Sequence, residues 1–405
     1  MDHTKPMPSV RRLDLQYIVM QAAYWAMFAG ICAYQAALLQ ERGFSNSDVG
    51  LLIAVRCLAG IVCQPLLGGF ADRHPGIPLK HIVSASLALS LVVGLLFTAV
   101  PMGMAGTVAV FVILGGFEIS AYPLMDAMAI QFINAGVPIR YSLGRGIGSM
   151  AYALTCVVLG LQVARWGVES TLITHAGLVV LVIALVCTYP AFHAAPAPAG
   201  APTEKPHSVW YLLRSNPRFT LMLAAILLGL TACLPMSNFL VNVIESRGGT
   251  SADLGLALFV MAGFEMPTAF FFQKLLRRLG SGRLILISMI FTTLKAAALF
   301  FAFNMLGVML AQPLQMLGYG LFTPASVFFV NESVPEADRV RGQTVMMVAS
   351  NGMGGMLGSY ISGRALDIGS ALPVGGANLM LLCCIALGGA SVALALLALK
   401  VNGKK

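Results

Sequence analysis

Asp48-Val49-Gly50-Leu51 opens one long apolar stretch, and Asp253-Leu254-Gly255-Leu256 opens another about 205 residues later. The first stretch ends in Gly68-Gly69-Phe70-Ala71-Asp72-Arg73, the second in Leu275-Leu276-Arg277-Arg278-Leu279-Gly280. Each copy joins an acid and a glycine to about twenty mostly apolar residues and a basic exit. Wound as a helix, that length crosses the roughly 30 Å hydrocarbon core of a bilayer. A common offset at both ends reads as an internal repeat, so the chain is expected to be two related halves.

Outward from these two stretches the same punctuation recurs. Apolar spans are expected at 15–40, 47–71, 79–100, 104–132, 140–164, 170–192, 218–244, 252–275, 283–303, 306–331, 341–364 and 376–399, separated by Gly43, Pro75 to Pro78, Pro101, Gly280 to Gly282 and Pro335. The expectation is an all-α membrane protein of twelve transmembrane helices in two six-helix bundles, 1–192 and 218–405. Between them, 193–217 holds an Ala-Pro-rich tract and reads as a cytoplasmic linker.

Composition agrees. Of 405 residues 58% are hydrophobic and only 10% charged, too few to clothe a soluble surface. The net charge of +9 is dispersed among short loops, which excludes a nucleic-acid face and marks topology instead. Outer loops keep only Arg42, Arg165, Arg247 and Arg364 of the 25 Lys and Arg residues, and the spans hold Arg56, Arg145 and Lys295. Every other basic residue falls in segments assigned to the inside, so both termini are expected in the cytoplasm. Eight cysteines lie in apolar stretches without metal-ligand spacing, so neither disulfide nor metal is expected. The first apolar run is too long for a cleavable signal core.

Gly68-x-x-x-Asp72-Arg73 resembles the start of the loop motif between helices 2 and 3 of the major facilitator superfamily. There the loop locks the cytoplasmic side of one conformer, which implies a gating role for Gly68, Asp72 and Arg73. Tyr141-Ser-Leu-Gly-Arg145-Gly-Ile-Gly148-Ser149-Met-Ala-Tyr152 resembles the fifth helix of the lactose-permease-like branch of sugar/proton symporters. Asp126 stands where that family's arginine has an acid late in helix 4. Glu265 is similar to its helix-8 acid, and Lys295 replaces a helix-9 arginine. Phe329 to Pro335 and Arg341-Gly342-Gln343 resemble its turn between helices 10 and 11. The departures are as specific: the helix-10 histidine and glutamate of lactose permeases are Gln315 and Gly318 here, and a helix-11 lysine is Asn351.

A charge at the bilayer centre costs about 3 kcal/mol or more, so Arg56, Glu118, Asp126, Arg145, Glu265 and Lys295 should face the protein interior in pairs. Matching depths suggest Asp126–Arg145, Glu265–Lys295 and Arg56–Glu118. Such pairs can simply fix helix packing. They can also work: a carboxylate in a dry cavity can take up and release a proton, and an arginine fork can grip a hydroxyl pair or a carboxylate. Asp126, Arg145, Tyr152, Tyr24, Trp25, Gln315 and Asn351 are therefore the expected substrate-binding residues, with Tyr34, Tyr319 and Tyr360 as further aromatic candidates. Glu265, Lys295, Glu118 and Arg56 are the expected proton-coupling residues. His74, His81, His193 and His207 read as solvated or interfacial.

The expected function is alternating-access transport of a small solute, a sugar or a related polar or aromatic metabolite, by proton symport. The chain would act as a monomer in a bacterial inner membrane, with the proton gradient in place of any cofactor and with partners limited to solute, proton and lipid. The alternative is proton-coupled export, because Gly263-Phe264-Glu265-Met266-Pro267 also resembles the eighth helix of sugar-efflux members. A membrane receptor or scaffold would need a soluble signalling domain, and an enzyme a nucleophile or metal constellation; neither is evident.

Overall fold

The computed structural model describes residues 9–192 and 208–401, and every regular element in them is helical. The helices are α1 (Val10–Glu41), α2 (Asn46–Arg73), α3 (Leu79–Ala99), α4 (Met104–Asn134), α5 (Tyr141–Trp166) and α6 (Ser170–Thr188). A short α7 (Val209–Ser215) follows, then α8 (Pro217–Asn238), α9 (Leu240–Ser246), α10 (Asp253–Leu279), α11 (Ser281–Phe300) and α12 (Met305–Ser333). The chain ends with α13 (Arg339–Met347), a π-helical stretch Val348–Gly354, α14 (Gly355–Ser370) and α15 (Gly376–Lys400). Among the described residues, ten of these helices are long and apolar enough to cross a membrane. The two other expected spans are helical but more polar. α10 carries Glu265, Lys274, Arg277 and Arg278, while the span through α13 and α14 opens on Arg339 and Arg341 and is interrupted by its π turn.

Most of the 193–217 linker lies outside the described residues. Its end is not a loose tether: the Ser208 hydroxyl accepts from the Tyr211 N–H to start α7, and Leu212 is buried. Asn216 then caps α8 by accepting from the Phe219 N–H.

Paired local features recur in the backbone at the offset of the two quoted stretches. Gly43 (φ 85°) and Gly248 (φ 80°) take the left-handed conformation that ends one helix. Two residues on, Ser45 and Thr250 hydrogen-bond to the Asp48 and Asp253 carboxylates at the start of α2 and α10. Two residues further, Gly50 and Gly255 press against another helix. A Cβ on Gly50 would stand 2.4 Å from the Ser359 carbonyl oxygen of α14, and one on Gly255 2.1 Å from that of Cys156 in α5. The break in α1 at Ala33 and Tyr34 recurs at Phe239, between α8 and α9. All these pairs share the offset of about 205 residues.

Helices alternate in direction, so the bundle has a near face, where α1 begins, and a far face, where α1 turns into α2. At the far face one apolar core draws residues from both 9–192 and 208–401, Leu52 and Phe111 beside Phe239 and Leu366. Toward the near face the core splits in two. One cluster around Tyr17, Met125 and Val186 belongs to the first half, and another around Phe219, Ile285 and Phe329 to the second. The far face is also laced by polar contacts between halves. Gln40 donates to Asn46 at 2.8 Å and to Asn242 at 3.0 Å. The Asp367 carboxylate accepts from the backbone N–H groups of Asn46 (3.1 Å) and Ser47 (2.7 Å) and from the Asn46 amide (2.8 Å). An anion thus sits on the N-terminus of α2, where four backbone donors lack helical partners.

Candidate functional site

On the first-half side of the cleft, Asp126 is the hub. Its Oδ1 accepts from Tyr17 (3.0 Å) and Gln21 (2.6 Å), and its Oδ2 from Tyr141 (2.7 Å) and Arg145 (3.3 Å). Arg145 lies on the same face of α5 as Tyr141, four residues away, and its Nη1 is 3.4 Å from the Tyr141 hydroxyl. The guanidinium also sits 5.2 Å from the Tyr122 ring centroid. Pairing of Asp126 with Arg145 is therefore as expected, with one refinement. Asp126 is 6% exposed and both of its oxygens are engaged, whereas the Arg145 side chain is 42% exposed. Among the described residues, the Arg145 Nε and Nη2 hydrogen-bond nothing. Both oxygens of Asp126, expected to touch substrate, are thus taken by side chains of its own half, while the half-exposed Arg145 keeps unpaired donors.

Aromatic rings line the wall above this pair. Trp25 packs edge-on to Tyr122 (5.2 Å) and to Tyr152 (6.4 Å), all three half-buried. Gly148 makes the room: a Cβ there would be 2.4 Å from the Trp25 ring. Tyr24, expected on the cleft, is 2% exposed and donates its hydroxyl to the Glu118 carbonyl oxygen. One residue along a helix turns a side chain by about 100°, so Trp25 reaches the cleft while Tyr24 backs it. Tyr34 is likewise buried, and Tyr360 is 47% exposed.

Across the cleft stand Glu265 on α10 and Tyr319 and Asn351, linked by the Tyr319 hydroxyl donating to Asn351 Oδ1 at 2.9 Å. Tyr319 is within electrostatic reach of Arg145, and Tyr152 of Glu265, so the two walls face each other. Asn351 sits in the π-helical stretch Val348–Gly354, an irregularity that often marks functional positions in helices. The expected Glu265–Lys295 pair is not in contact: no ion pair within 4.0 Å joins them among the described residues. Lys295, 1% exposed, donates to Gln315 Oε1 at 2.8 Å and lies 3.4 Å from Met261 Sδ. Gln315 belongs to the 3₁₀ turn Gln312–Met316 that breaks α12. The carbonyls beside that break are satisfied by Thr268, donating to Met316 O, and Ser288, donating to Gly318 O. Irregular backbone at this depth is tolerated only where such partners or a cavity exist.

The third expected pair, Arg56–Glu118, is present at 3.3 Å and wholly buried. The sequence reading missed its third member: His175 of α6 lies 3.0 Å from Glu118. An ionisable residue inside an apolar span was the available signal. Among the described residues, the expected gate residues make no hydrogen bond or ion pair with the second half. Gly68 has open space around its Cα, Asp72 is exposed, and the Arg73 Nε returns to the Gly69 carbonyl at 2.9 Å. Two surface pockets lie apart from Arg145, one of about 860 Å³ among Arg42, Gln162, Trp166 and Glu169, and one of about 330 Å³ between Thr268 and Arg278.

Apolar membrane-crossing helices around a charged, aromatic-walled cleft define a polytopic membrane transporter. The chain belongs to the MFS_1 like family, whose model matches residues 15–374, within the major facilitator superfamily. It is 24% identical over 367 residues to the maltose permease of Geobacillus stearothermophilus, covering 87% of this chain and 86% of that protein. It is also 24% identical over 355 residues to a Deinococcus radiodurans chain named for sugar efflux, covering 83% and 86%. Among solved structures the nucleoside transporter NupG superposes with a TM-score of 0.79 at 18% identity, covering 96% of this chain and all of that one. At that identity the likeness is one of fold.

Proposed function

We propose that the protein is a secondary active transporter that moves a sugar-bearing or similarly polar, partly aromatic solute by alternating access, driven by protons. The observation that carries this reading is the half-exposed Arg145. Asp126 and Tyr141 hold it in place, its remaining donors face a cleft between the halves, and Trp25 and Tyr152 stand beside it as flat apolar walls suited to a sugar ring or a base. The relatives named for maltose permeation and the NupG-like fold support that solute class. Counterflow in proteoliposomes across sugars, nucleosides and aromatic acids tests it. Exchange of at least one sugar-bearing solute is the expected result, and exchange of none overturns the reading. Export in place of uptake is favoured by the efflux-named relative and by the Gly263 to Pro267 stretch, and the same vesicles with the proton gradient reversed separate the two.

The reading includes twelve crossings, counting α10 and the column from Arg339 to Ser370, arranged as two six-helix halves of a monomer in a bacterial inner membrane. The basic residues put the near face and both termini in the cytoplasm. Reporters fused after Leu96 and after Lys205 should then report opposite sides, and an external Lys205 reverses the assignment. With this orientation the structure is open to the cytoplasm and closed outside, and Gly68, Asp72 and Arg73 are disengaged because their gate is open.

Outward closure rests partly on Asp367. Its three accepted hydrogen bonds come from α2 across the interface, and a hydrogen bond to a charged group contributes about 1.5–3 kcal/mol. Asp367→Ala should move the equilibrium toward an outward-open state by roughly tenfold or more. Electron–electron resonance distances between spin labels at Glu41 and Arg364 should lengthen in a larger fraction of molecules. An unchanged distribution would show that the apolar core alone closes this face.

A further inference from the structure

His175, Glu118 and Arg56 form a charged cluster inside the first half, away from the Arg145 cleft. All three are at least 97% buried. His175 Nδ1 is 3.0 Å from the Met27 carbonyl oxygen, which can only accept, so Nδ1 carries a hydrogen. His175 Nε2 is 3.0 Å from Glu118 Oε1. With Nδ1 already protonated, that second contact needs one more proton: on Nε2 beside an ionised carboxylate, or on the carboxyl donating to a neutral ring. Without it two lone pairs would face each other at hydrogen-bonding distance in a site that holds no room for water to intervene. Both assignments amount to the same charge count. Arg56 is 3.3 Å from Glu118 Oε2, and with its charge the cluster carries one net positive charge when this proton is present and none when it has left.

We propose that His175 and Glu118 together bind one exchangeable proton, and that this site reports its occupancy to the outer gate through α1. The charged groups around the imidazole are Glu118 from α4 and Arg56 from α2; α1 adds the Met27 carbonyl and the Tyr24 hydroxyl, which donates to the Glu118 carbonyl. Among the described residues, α3 and α5 give His175 no hydrogen bond or ion pair. The link to α1 is close: a Cβ on Gly30 would lie 3.0 Å from His175 Cβ, so the two helices touch there with no slack. Arg56 donates to Cys32 Sγ and to Gln35 Oε1 (3.2 Å), on either side of the break in α1 at Ala33 and Tyr34. Beyond the break, Gln40 donates to Asn242 across the halves and to Asn46, which itself meets Asp367 of the second half. When the proton departs to solvent, His175 must leave either Glu118 or Met27, and the segment of α1 that it braces is released. The far face is the outer gate on the proposed orientation, and the proton site acts on it whatever the solute.

Two measurements test it on the full-length protein in lipid nanodiscs. Nitrogen-15 spectra of histidine-labelled protein, with the His175 signals identified by their loss in His175→Gln, read the ring nitrogens directly. At neutral pH the expected result is either a doubly protonated ring, or a neutral ring together with a protonated Glu118 carboxyl band in the infrared that Glu118→Gln removes. A neutral ring beside an ionised Glu118 overturns the proposal. The second measurement follows the Glu41–Arg364 spin-label distance as pH rises. Wild type should shift toward the outward-open distribution as the His175 signals titrate, and Glu118→Gln, whose amide needs no shared proton, should lose that shift. A shift that persists in Glu118→Gln, or none in wild type while His175 titrates, removes the link to the gate. Should these variants fail to fold, replacing His3, His74, His81, His193 and His207 leaves His175 as the one labelled imidazole, and Glu118→Asp in place of Glu118→Gln shifts the carboxyl band. These readouts use no substrate, so they stand or fall separately from the transport assays.

Discussion

Replacing Arg145 by lysine should weaken solute binding by about 10- to 100-fold while leaving membrane insertion intact. The charge survives this change, so an effect cannot come from a missing ion pair. What disappears is the planar fork. In the structure one nitrogen of the guanidinium bridges Asp126 Oδ2 and the Tyr141 hydroxyl, leaving the others aimed at the cleft. An ammonium can take the place of the bridging nitrogen or of the outward ones, but not of both. Loss of a charge-assisted contact of about 1.5–3 kcal/mol gives the stated range. Isothermal titration or scintillation-proximity binding on purified protein measures it, with elution profile and helicity as controls for folding. Wild-type affinity in a well-folded Arg145→Lys protein would remove Arg145 from the binding site. Asp126→Asn provides an internal comparison, because Asp126 acts by holding Arg145: it should also weaken binding, through a guanidinium free to leave the cleft.

How much of this was readable beforehand depends on the kind of information a sequence carries about a buried helix. Height in the bilayer follows from residue number at 1.5 Å per step, and height suggested Arg56–Glu118 and, together with the family resemblance, Asp126–Arg145, both of which meet. Rotation about the axis is harder. Spans that are apolar on every side show no stripe that says which face is inward. That is why Tyr24 and Trp25, neighbours at one height, were both expected on the cleft, and why Glu265 and Lys295 were paired although Gln315 takes the lysine. The break that places Gln315 there is a 3₁₀ turn at Pro313, whose local geometry no periodicity reveals. The repeat was legible because its two copies could be compared. Gly43 is legible as a turn, but its counterpart Gly248, the Ser45/Thr250 caps and the Phe239 break are not, since each is a single residue until the backbone shows what it does. Apart from being ionisable in an apolar span, His175 carries no local signal of its role. Its neighbours are apolar or small, and only the fold brings Glu118 to it.

Neutralising Glu265 should abolish uphill accumulation while sparing exchange. Glu265 stands on α10 in the wall facing Tyr152 and Arg145, so it shares the cleft with the solute proposed to bind there. It has no ion-pair partner within 4.0 Å among the described residues, because Lys295 is turned toward Gln315. Lactose permeases place a histidine and a glutamate on helix 10 for proton coupling, and this chain has Gln315 and Gly318 in those positions, neither of which can carry a proton. A carboxylate at the cleft is then the remaining acid through which solute and proton can be linked in one compartment. Gln315, between Glu265 and Lys295, can orient toward either. Glu265→Gln imitates the protonated acid permanently. The empty carrier could then no longer lose its proton on the cytoplasmic side, so net cycling against a gradient should stop and the inside-to-outside solute ratio should fall to equilibrium. The loaded carrier already has the charge state of the variant, so counterflow should continue near the wild-type rate. Loss of both activities would assign Glu265 to solute binding or folding. Accumulation at the wild-type level would move the proton to α4, to Asp126 or to the buried His175–Glu118 pair. Asp126→Asn and then Glu118→Gln would be the decisive measurements: a transporter that still accumulates solute when each of the three carboxylates in turn is neutralised is not driven by protons at these sites, and the symport reading falls with it.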